Sequence, residues 1–283
     1  MNTFLGIEKP YTVLETAPIV ILTVPYEATT SYGTGTKNGP ASIINASAFV
    51  ELYDEETATE VYRKGLHTAD PITFSGKVDD DFEHITQTAA SYLQKDKFVI
   101  SLGGEHSISY PLVRAWHKKY PDLSVLQLDA HSDLRDSYEG SIYSHASVMA
   151  RIRALTEKIV QVGIRSQCVE EADLIAACGI KTNYAHNIRK YGWDGCLNGL
   201  SGDVYISLDV DFFDPALMPS TGTPEPGGFF WYETLAFLRK IFTDYNVVGF
   251  DIVEFSPISG LTHPEFTIAK LIYKLIGYYQ INH

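Results

Sequence analysis

The sequence predicts an α/β fold built on a mostly parallel sheet, and three observations predict it. Short apolar runs rich in Val and Ile recur along the chain, nearly continuous rather than alternating, as in strands covered on both faces. Segments with helical periodicity lie between them. No linker, repeat or low-complexity tract breaks this alternation, so residues 1–283 read as one domain.

Taken in order, "APIVILTVPY" (17–26) reads as the first strand. Residues 79–94 place Phe82, Ile85, Ala89 and Leu93 on one helical stripe, followed by the strand "KFVISLGG" (97–104). Residues 107–119 carry Ile108, Leu112 and Trp116 at helical spacing, before the strand "SVLQLDAH" (124–131). "KIVQVGIRS" (158–166) and "VYISLDVD" (204–211) read as strands. A helix is expected over 231–243, then the strand "VVGFDIVEF" (247–255), then a helix over 264–279 with Pro264 in its first turn.

The 283 residues, 45% hydrophobic, suffice for one large core. A net charge of −13 argues against nucleic acid or an anionic membrane as partner and suits a small cationic substrate. Cys168, Cys178 and Cys196 are odd in number and lack metal-site spacing, which predicts a reduced, cytoplasmic protein. The N-terminal "MNTFLGIEKP" has no basic region leading into an apolar run, so no signal peptide is expected. No apolar stretch of about 18 residues exists to span a membrane.

In parallel sheets the polar site lies beyond the carboxyl ends of the strands. Gly103-Gly104-Glu105-His106, Asp129-Ala130-His131-Ser132-Asp133, Asp209-Val210-Asp211 and Glu254 all fall at such ends, which places them along one rim. Side chains alternate along a strand, so Asp129, His131 and Asp133 share a face as far as strand geometry lasts, and Asp209 and Asp211 do likewise. Four buried carboxylates cannot all ionise without partners. One cation leaves a negative remainder; two divalent cations balance the set, and two imidazoles add neutral nitrogen ligands. Mixed oxygen and nitrogen ligation suits manganese better than a thiolate zinc site. The expectation is a dinuclear centre with metals roughly 3.5–4 Å apart, bridged by carboxylates and hydroxide.

An isolated DxH or DxD is commonly a turn or helix cap, but three clusters, each ending an apolar strand, are not explained as turns. Gly103-Gly104 reads either as a strand-to-helix turn or as a close backbone approach. Glu105 reads as a helix-start residue, and His84 and His117 as surface histidines. His67, His186, His263 and His283 have no chemical neighbours in sequence. "GTGTKNG" (33–39) matches no phosphate-binding spacing and reads as a loop near the site mouth.

Together, "GGEHS" (103–107), "DAHSD" (129–133), "SHAS" (144–147), "SLDVDFFDP" (207–215), "TGTPEPGG" (221–228) and "DIVEFSP" (251–257) resemble the ureohydrolases, the arginase and agmatinase family, in family order. "VPYEATTSYGTGTKNGP" (24–40) extends the match. The resemblance implies a three-layer α/β/α fold with an eight-stranded, mostly parallel sheet, usually in homotrimers or homohexamers. It implies two Mn2+ per subunit, one held by His106, Asp129, Asp133 and Asp209, the other by His131, Asp129, Asp209 and Asp211. His145 matches the family's proton-shuttling histidine, the alternative being a loop histidine that caps the next helix. Thr223 matches a threonine near the substrate end, and Glu254 the carboxylate that grips the guanidinium. The implied reaction is attack of a metal-bridging hydroxide on the guanidinium carbon, with Asp133 orienting the nucleophile or taking its proton and His145 protonating the leaving amine.

The segment "LRDSYEGSIYSHAS" after "DAHSD" departs from the arginase pattern and is closer to the agmatinase branch, as is "TGTPEPGG". Agmatine, giving putrescine and urea as in polyamine biosynthesis, is therefore the first expectation. Guanidinobutyrase, N-aminopropylagmatine ureohydrolase, arginase and formiminoglutamase activities share the chemistry. Asp136 and Glu139 either supply a field for the distal ammonium or are solvated loop charges. Arg135 either points inward, favouring a carboxylate-bearing substrate, or pairs with Asp136 or Glu139, leaving agmatine. Ile44 stands where the family commonly has arginine, which bears on subunit or loop contacts. A metal-dependent deacetylase shares the fold but uses fewer carboxylates, and a non-catalytic relative is expected to lose a ligand; none is missing here.

Overall fold

The computed structural model describes residues 3–282, so His283 lies outside the described residues. The strands are β1 (Ile19–Val24), β2 (Leu66–Thr68), β3 (Phe98–Gly103), β4 (Ser124–Leu128), β5 (Ile159–Ile164), β6 (Lys181–Tyr184), β7 (Asp203–Asp209) and β8 (Asn246–Val253). They form one sheet in the order β2-β1-β3-β8-β7-β4-β5-β6, and every pairing is parallel. The inner strands coincide with the apolar runs, because a strand covered on both faces must be apolar on both. β2 ("LHT") and β6 ("KTNY") have no such signature. They are the sheet edges, short and partly exposed, so no apolar run marks them.

Among the described residues, eight α-helices cover the sheet: α1 (Gly39–Ser47), α2 (Val78–Leu93), α3 (Ser109–Lys119), α4 (Val148–Arg153), α5 (Val169–Cys178), α6 (Ala185–Tyr191), α7 (Trp231–Asp244) and α8 (His263–Asn282). One apolar core packs α1, α6, α7 and α8 against one face; a second packs α2 to α5 against the other. The result is three layers. The sequence shows α2, α3, α7 and α8 by their stripes. α4 and α6 span fewer than two full turns, too few for periodicity to show. Ile44, in α1, is a buried core residue.

Two glycines permit close approaches that shape the site. A Cβ at Gly104 would stand 2.0 Å from the carbonyl oxygen of Tyr26, where the end of β1 runs against the turn after β3. A Cβ at Gly249 would overlap the Trp116 indole, whose Nε1 donates to the Val248 carbonyl and fixes α3 on β8.

The chain runs from β3 directly to β4, and β7 and β8 later fill the gap between them. Such a place is where α/β sheets build ligand sites. The tips of β3, β8, β7 and β4 are thereby contiguous.

Candidate active site

Each of those four tips delivers part of one polar cluster. His106 opens a short 3-10 turn after β3, and Asp129 to Asp133 follow β4. Asp209 ends β7, with Asp211 in the next turn, and Glu254 follows β8. Strand alternation is not what gathers Asp129, His131 and Asp133. β4 stops at Leu128, and beyond it only a single bridge, His131 to Ser166, continues the sheet. Asp133 turns into the left-handed region (φ 52°), with its carbonyl accepting from the Met149 N–H at the start of α4. Asp209 and Asp211 are likewise related by a turn, in which the Asp211 N–H donates to Asp209 Oδ1.

The distances define two adjoining ligand groups that share Asp129: His106 with Asp129 and Asp209, and His131 with Asp129 and Asp211. The buried Nδ1 of His106 makes no hydrogen bond, yet lies 2.9 Å from Asp133 Oδ2, 3.1 Å from Asp129 Oδ2 and 3.5 Å from Asp209 Oδ2. His131 Nδ1 lies 2.8 Å from Asp211 Oδ2. Carboxylate oxygens converging on an orphan imidazole nitrogen fit a metal ion. All six residues are hard oxygen or borderline nitrogen donors, the set expected for manganese-like ions.

Electrostatics supports the same conclusion. Burial pushes the Asp129 carboxyl up to about 7, and the charges of Asp211 and Asp133 add to it. Burial, then Asp211 and Asp129, raises Asp209 far above the carboxylate range. Burial disfavours a charged His131, but Asp211 and its neighbours outweigh it and hold that imidazole at about 10. The same balance, with Asp129 and Asp133, raises His106. Burial also raises Asp211, but His131 and the Ala130 N–H reverse it, leaving that carboxyl low. The cluster takes up protons because it lacks positive charge, which is the state expected where cations belong.

Glu254 stands at the same floor. Burial pushes its carboxyl up to about 8 although the His106 N–H donates to its Oε1 at 2.6 Å. Its backbone is left-handed (φ 63°), held by its own N–H donating to the Gly104 carbonyl. No lysine or arginine among the described residues forms an ion pair with it. Above it opens a cavity of about 240 Å³ whose wall includes His145, Thr223, Arg135, Tyr138 and Tyr32. His145 half-faces this space, with its ring edge-on to Tyr138 at 5.8 Å.

Several supporting residues escape the sequence reading. Glu105 is more than a helix start: fully buried, it accepts from the N–H groups of Ala28 and Thr29 and from the Thr29 and Ser107 hydroxyls. Gln127 donates to Asp129 Oδ2 at 2.7 Å and is itself held by Gln161. Arg165 donates to the carbonyls of Asp211, Phe213 and Glu225, tying the turn after β7 to the 221–228 loop. The available signal was a glutamine in the middle of each of two otherwise apolar strands. Asp251 lies in the motif "DIVEFSP" but its burial beneath His106 has no local mark. His67 has a neighbour after all, the Thr12 carbonyl 2.9 Å from its Nδ1, and His186 stacks on Tyr184. Glu27 binds the N–H groups of Gly35 and Lys37, so the 33–39 segment is a tethered loop whose Gly33 reaches the cavity wall.

A model of the arginase family matches residues 17–277. The N(1)-aminopropylagmatine ureohydrolase of Synechocystis is 39% identical over 273 residues, covering 93% of this chain and 89% of the relative. The agmatinase of Pyrococcus horikoshii is 34% identical over 272 residues, 95% of each chain. The crystal structure of the agmatine ureohydrolase of Thermoplasma volcanium superposes with a TM-score of 0.88 at 32% identity, covering 95% of this chain and 92% of that one. A family match across most of the chain, joined to relatives of this identity along nearly their whole length, shows that this chain belongs to the arginase family, the ureohydrolases, which are hydrolases of guanidino compounds.

Proposed function

We propose that this ureohydrolase hydrolyses the guanidinium group of agmatine, releasing urea and putrescine, as a manganese-dependent cytoplasmic homo-oligomer, trimeric or hexameric, of a single 1–283 catalytic domain. His106, Asp129, Asp133 and Asp209 would hold one Mn2+, and His131, Asp129, Asp209 and Asp211 would hold the second. When bound, such a pair lowers the pKa of a shared water and supplies hydroxide at neutral pH. The observation that carries the proposal is Glu254, a half-buried, desolvated carboxylate that lines the cavity beside the metal ligands and has no ion pair with a lysine or arginine among the described residues.

The charge balance assigns Glu254 its partner. Two divalent ions match the charge of Asp129, Asp133, Asp209 and Asp211, so Glu254 remains for a monocation. A guanidinium is cationic at ordinary pH and offers paired N–H donors in one plane. The His106 N–H fixes one oxygen of Glu254, and so fixes the plane in which the guanidinium is held. Asp133, at the wall and within reach of the same space, accepts the nucleophile's proton. His145 delivers a proton to the departing amine, and Thr223 bounds the substrate's outer part. Water and the guanidinium thus become urea and an alkylammonium.

The distal end of the substrate is read at the cavity mouth. Arg135 pairs with neither Asp136 nor Glu139: its guanidinium lies 5.2 Å over the Tyr138 ring, and Asp136 is bonded to Arg151. Arg135 lines the cavity, stacked on Tyr138, without the pairing on which agmatine was to rest, so it favours a carboxylate-bearing guanidine, and the amine reading is supported instead by the agmatinase-like motifs. Asp136 is highly exposed and serves as a surface charge. A second reading, N(1)-aminopropylagmatine, is favoured by the relatives at 39% identity, whose names carry that substrate, against 34% for the agmatinase of Pyrococcus horikoshii.

The test is urea release by the manganese-loaded protein from agmatine, N(1)-aminopropylagmatine, arginine and 4-guanidinobutyrate in parallel. The highest kcat/KM is expected with agmatine. A clear preference for N(1)-aminopropylagmatine transfers the assignment to the second reading, and preference for arginine or 4-guanidinobutyrate overturns both.

A further inference from the structure

We infer that Glu105 and Thr29 form a positioning pair that fixes the tautomer and direction of His145, resting on the proposed role of His145 as proton carrier. Four donors converge on the buried Glu105 carboxylate: the N–H groups of Ala28 and Thr29, both at 2.6 Å, the Thr29 hydroxyl at 2.8 Å and the Ser107 hydroxyl at 2.5 Å. A carboxylate receiving these contacts is an acceptor, so the Thr29 O–H points at Glu105 and its lone pairs point away. Those lone pairs face His145. The His145 N–H donates to Thr29 Oγ1 at 3.1 Å, and His145 Nδ1 lies 3.4 Å from the same oxygen and 3.4 Å from Ser144 Oγ.

The hydroxyl proton is committed to Glu105, so Thr29 can only accept from the imidazole. Ser144 Oγ, at the same distance, can either donate or accept, so Thr29 is the contact that selects the tautomer: Nδ1 carries the hydrogen in the neutral ring, and Nε2 keeps the lone pair. Tyr138, edge-on at 5.8 Å, packs the ring from another side. The arrangement gives the imidazole one nitrogen anchored in the wall and one free to exchange protons.

The geometry also explains a span of sequence that the metal site leaves unused. Glu105 belongs to the turn after β3 and Thr29 to the loop after β1, while His145 follows β4 at a distance of 116 residues from Thr29. Glu105 thus links the loop beside the metal ligand His106 to the residue that handles the leaving group. Neither Glu105 nor Thr29 needs to touch substrate, so both are positioning residues.

The experiment uses the manganese-loaded full chain and whichever of agmatine or N(1)-aminopropylagmatine the wild type turns over faster. Thr29→Val keeps the side chain's shape and removes its hydroxyl; Thr29→Ser restores the hydroxyl. Thr29→Val is expected to lower kcat at least about tenfold, a fraction of what a general acid contributes. KM and metal stoichiometry should stay within twofold, Thr29→Ser should recover most of the loss, and in a His145→Ala background Thr29→Val should add no further loss. Nitrogen-15 shifts of the imidazole provide a readout independent of turnover. Wild-type neutral His145 should show a protonated Nδ1, and Thr29→Val a mixture of tautomers. A wild-type kcat in Thr29→Val, with His145→Ala crippled, overturns the positioning role and leaves that of His145 intact. Wild-type turnover by His145→Ala instead sinks the proton-carrier reading itself. A wild-type ring protonated on Nε2 overturns the inference whatever the rates.

Discussion

The Nε2 of His106 stands 2.9 Å from the Ser207 hydroxyl, and this contact decides which nitrogen of His106 faces the carboxylates. Ser207 donates its hydrogen to Asp251 Oδ1 at 2.9 Å, so its oxygen accepts from Nε2–H and Nδ1 keeps its lone pair for the cluster. Asp251 is fully buried and also takes the Tyr205 hydroxyl. Outer partners of this kind orient metal-binding histidines, and their loss costs about 10–100-fold in metal affinity. Ser207→Ala should weaken manganese binding by that factor in calorimetry, with urea release restored at saturating manganese. An unchanged affinity would refute the role.

A second support reaches Asp129 from the opposite side of the sheet. Thr182 donates to Gln161, Gln161 to Gln127, and Gln127 to Asp129 Oδ2 and the His131 carbonyl. The chain crosses β6, β5 and β4 in a wholly buried layer for both glutamines. Gln127→Leu removes the final donors and leaves buried acceptors without them, at about 1–3 kcal/mol. Urea denaturation of the metal-free protein should show a lower midpoint with an unchanged slope. A midpoint equal to wild type would mean that the amide chain is not strengthening the fold.

These two networks also mark where sequence reading stops. The inner strands are legible because burial on both faces demands continuous Val and Ile, while the edges β2 and β6 face no such demand. The acidic clusters are legible because a carboxylate at the end of an apolar strand is costly and therefore conspicuous. Their assembly is only partly so. That β7 and β8 lie between β3 and β4, setting Ser207 under His106, is a property of strand order and has no local signature. Alternation suggested the right side chains for Asp129, His131 and Asp133 by the wrong route, since Asp133 reaches His106 through a left-handed turn.

The metal-free protein should lose stability as pH rises. Burial lifts Asp129 to about 7 and Glu254 to about 8, whereas unfolded carboxyls titrate near roughly 4. Between those values the folded state retains protons that the unfolded chain has released. The stability these groups contribute is complete below about pH 4 and is lost as pH rises through 7 to 8. His131, opposed by burial but raised by Asp211 to about 10, acts in the same direction from roughly pH 6.5 upward. Asp211, held low, acts oppositely but below the usual carboxylate range, outside this window. Melting in EDTA should fall from pH 6 to 8.5, while the increment from added manganese, about 2.7 kcal/mol at a hundredfold excess over Kd, should grow. A metal-free melting temperature that climbs over this interval contradicts the titration of the cluster.

Glu254→Gln separates the substrate's seat from the metal site. The amide keeps the shape of the side chain and one oxygen to accept the His106 N–H, so the floor of the cavity should persist. Glu254 is absent from both ligand groups, so manganese stoichiometry should stay at the wild-type value. What disappears is the negative charge facing the guanidinium. Removing one partner of a buried, hydrogen-bonded charge pair costs about 2–5 kcal/mol, and the loss should appear in kcat/KM for the preferred guanidine. The substitution also relieves the folded protein of a desolvated carboxylate, so the metal-free melting temperature should rise already at pH 6, rise further at pH 8.5, and change little only below about pH 4. Loss of turnover together with loss of metal would make Glu254 part of the metal site. Near-wild-type kcat/KM with metal retained would deny it the guanidinium.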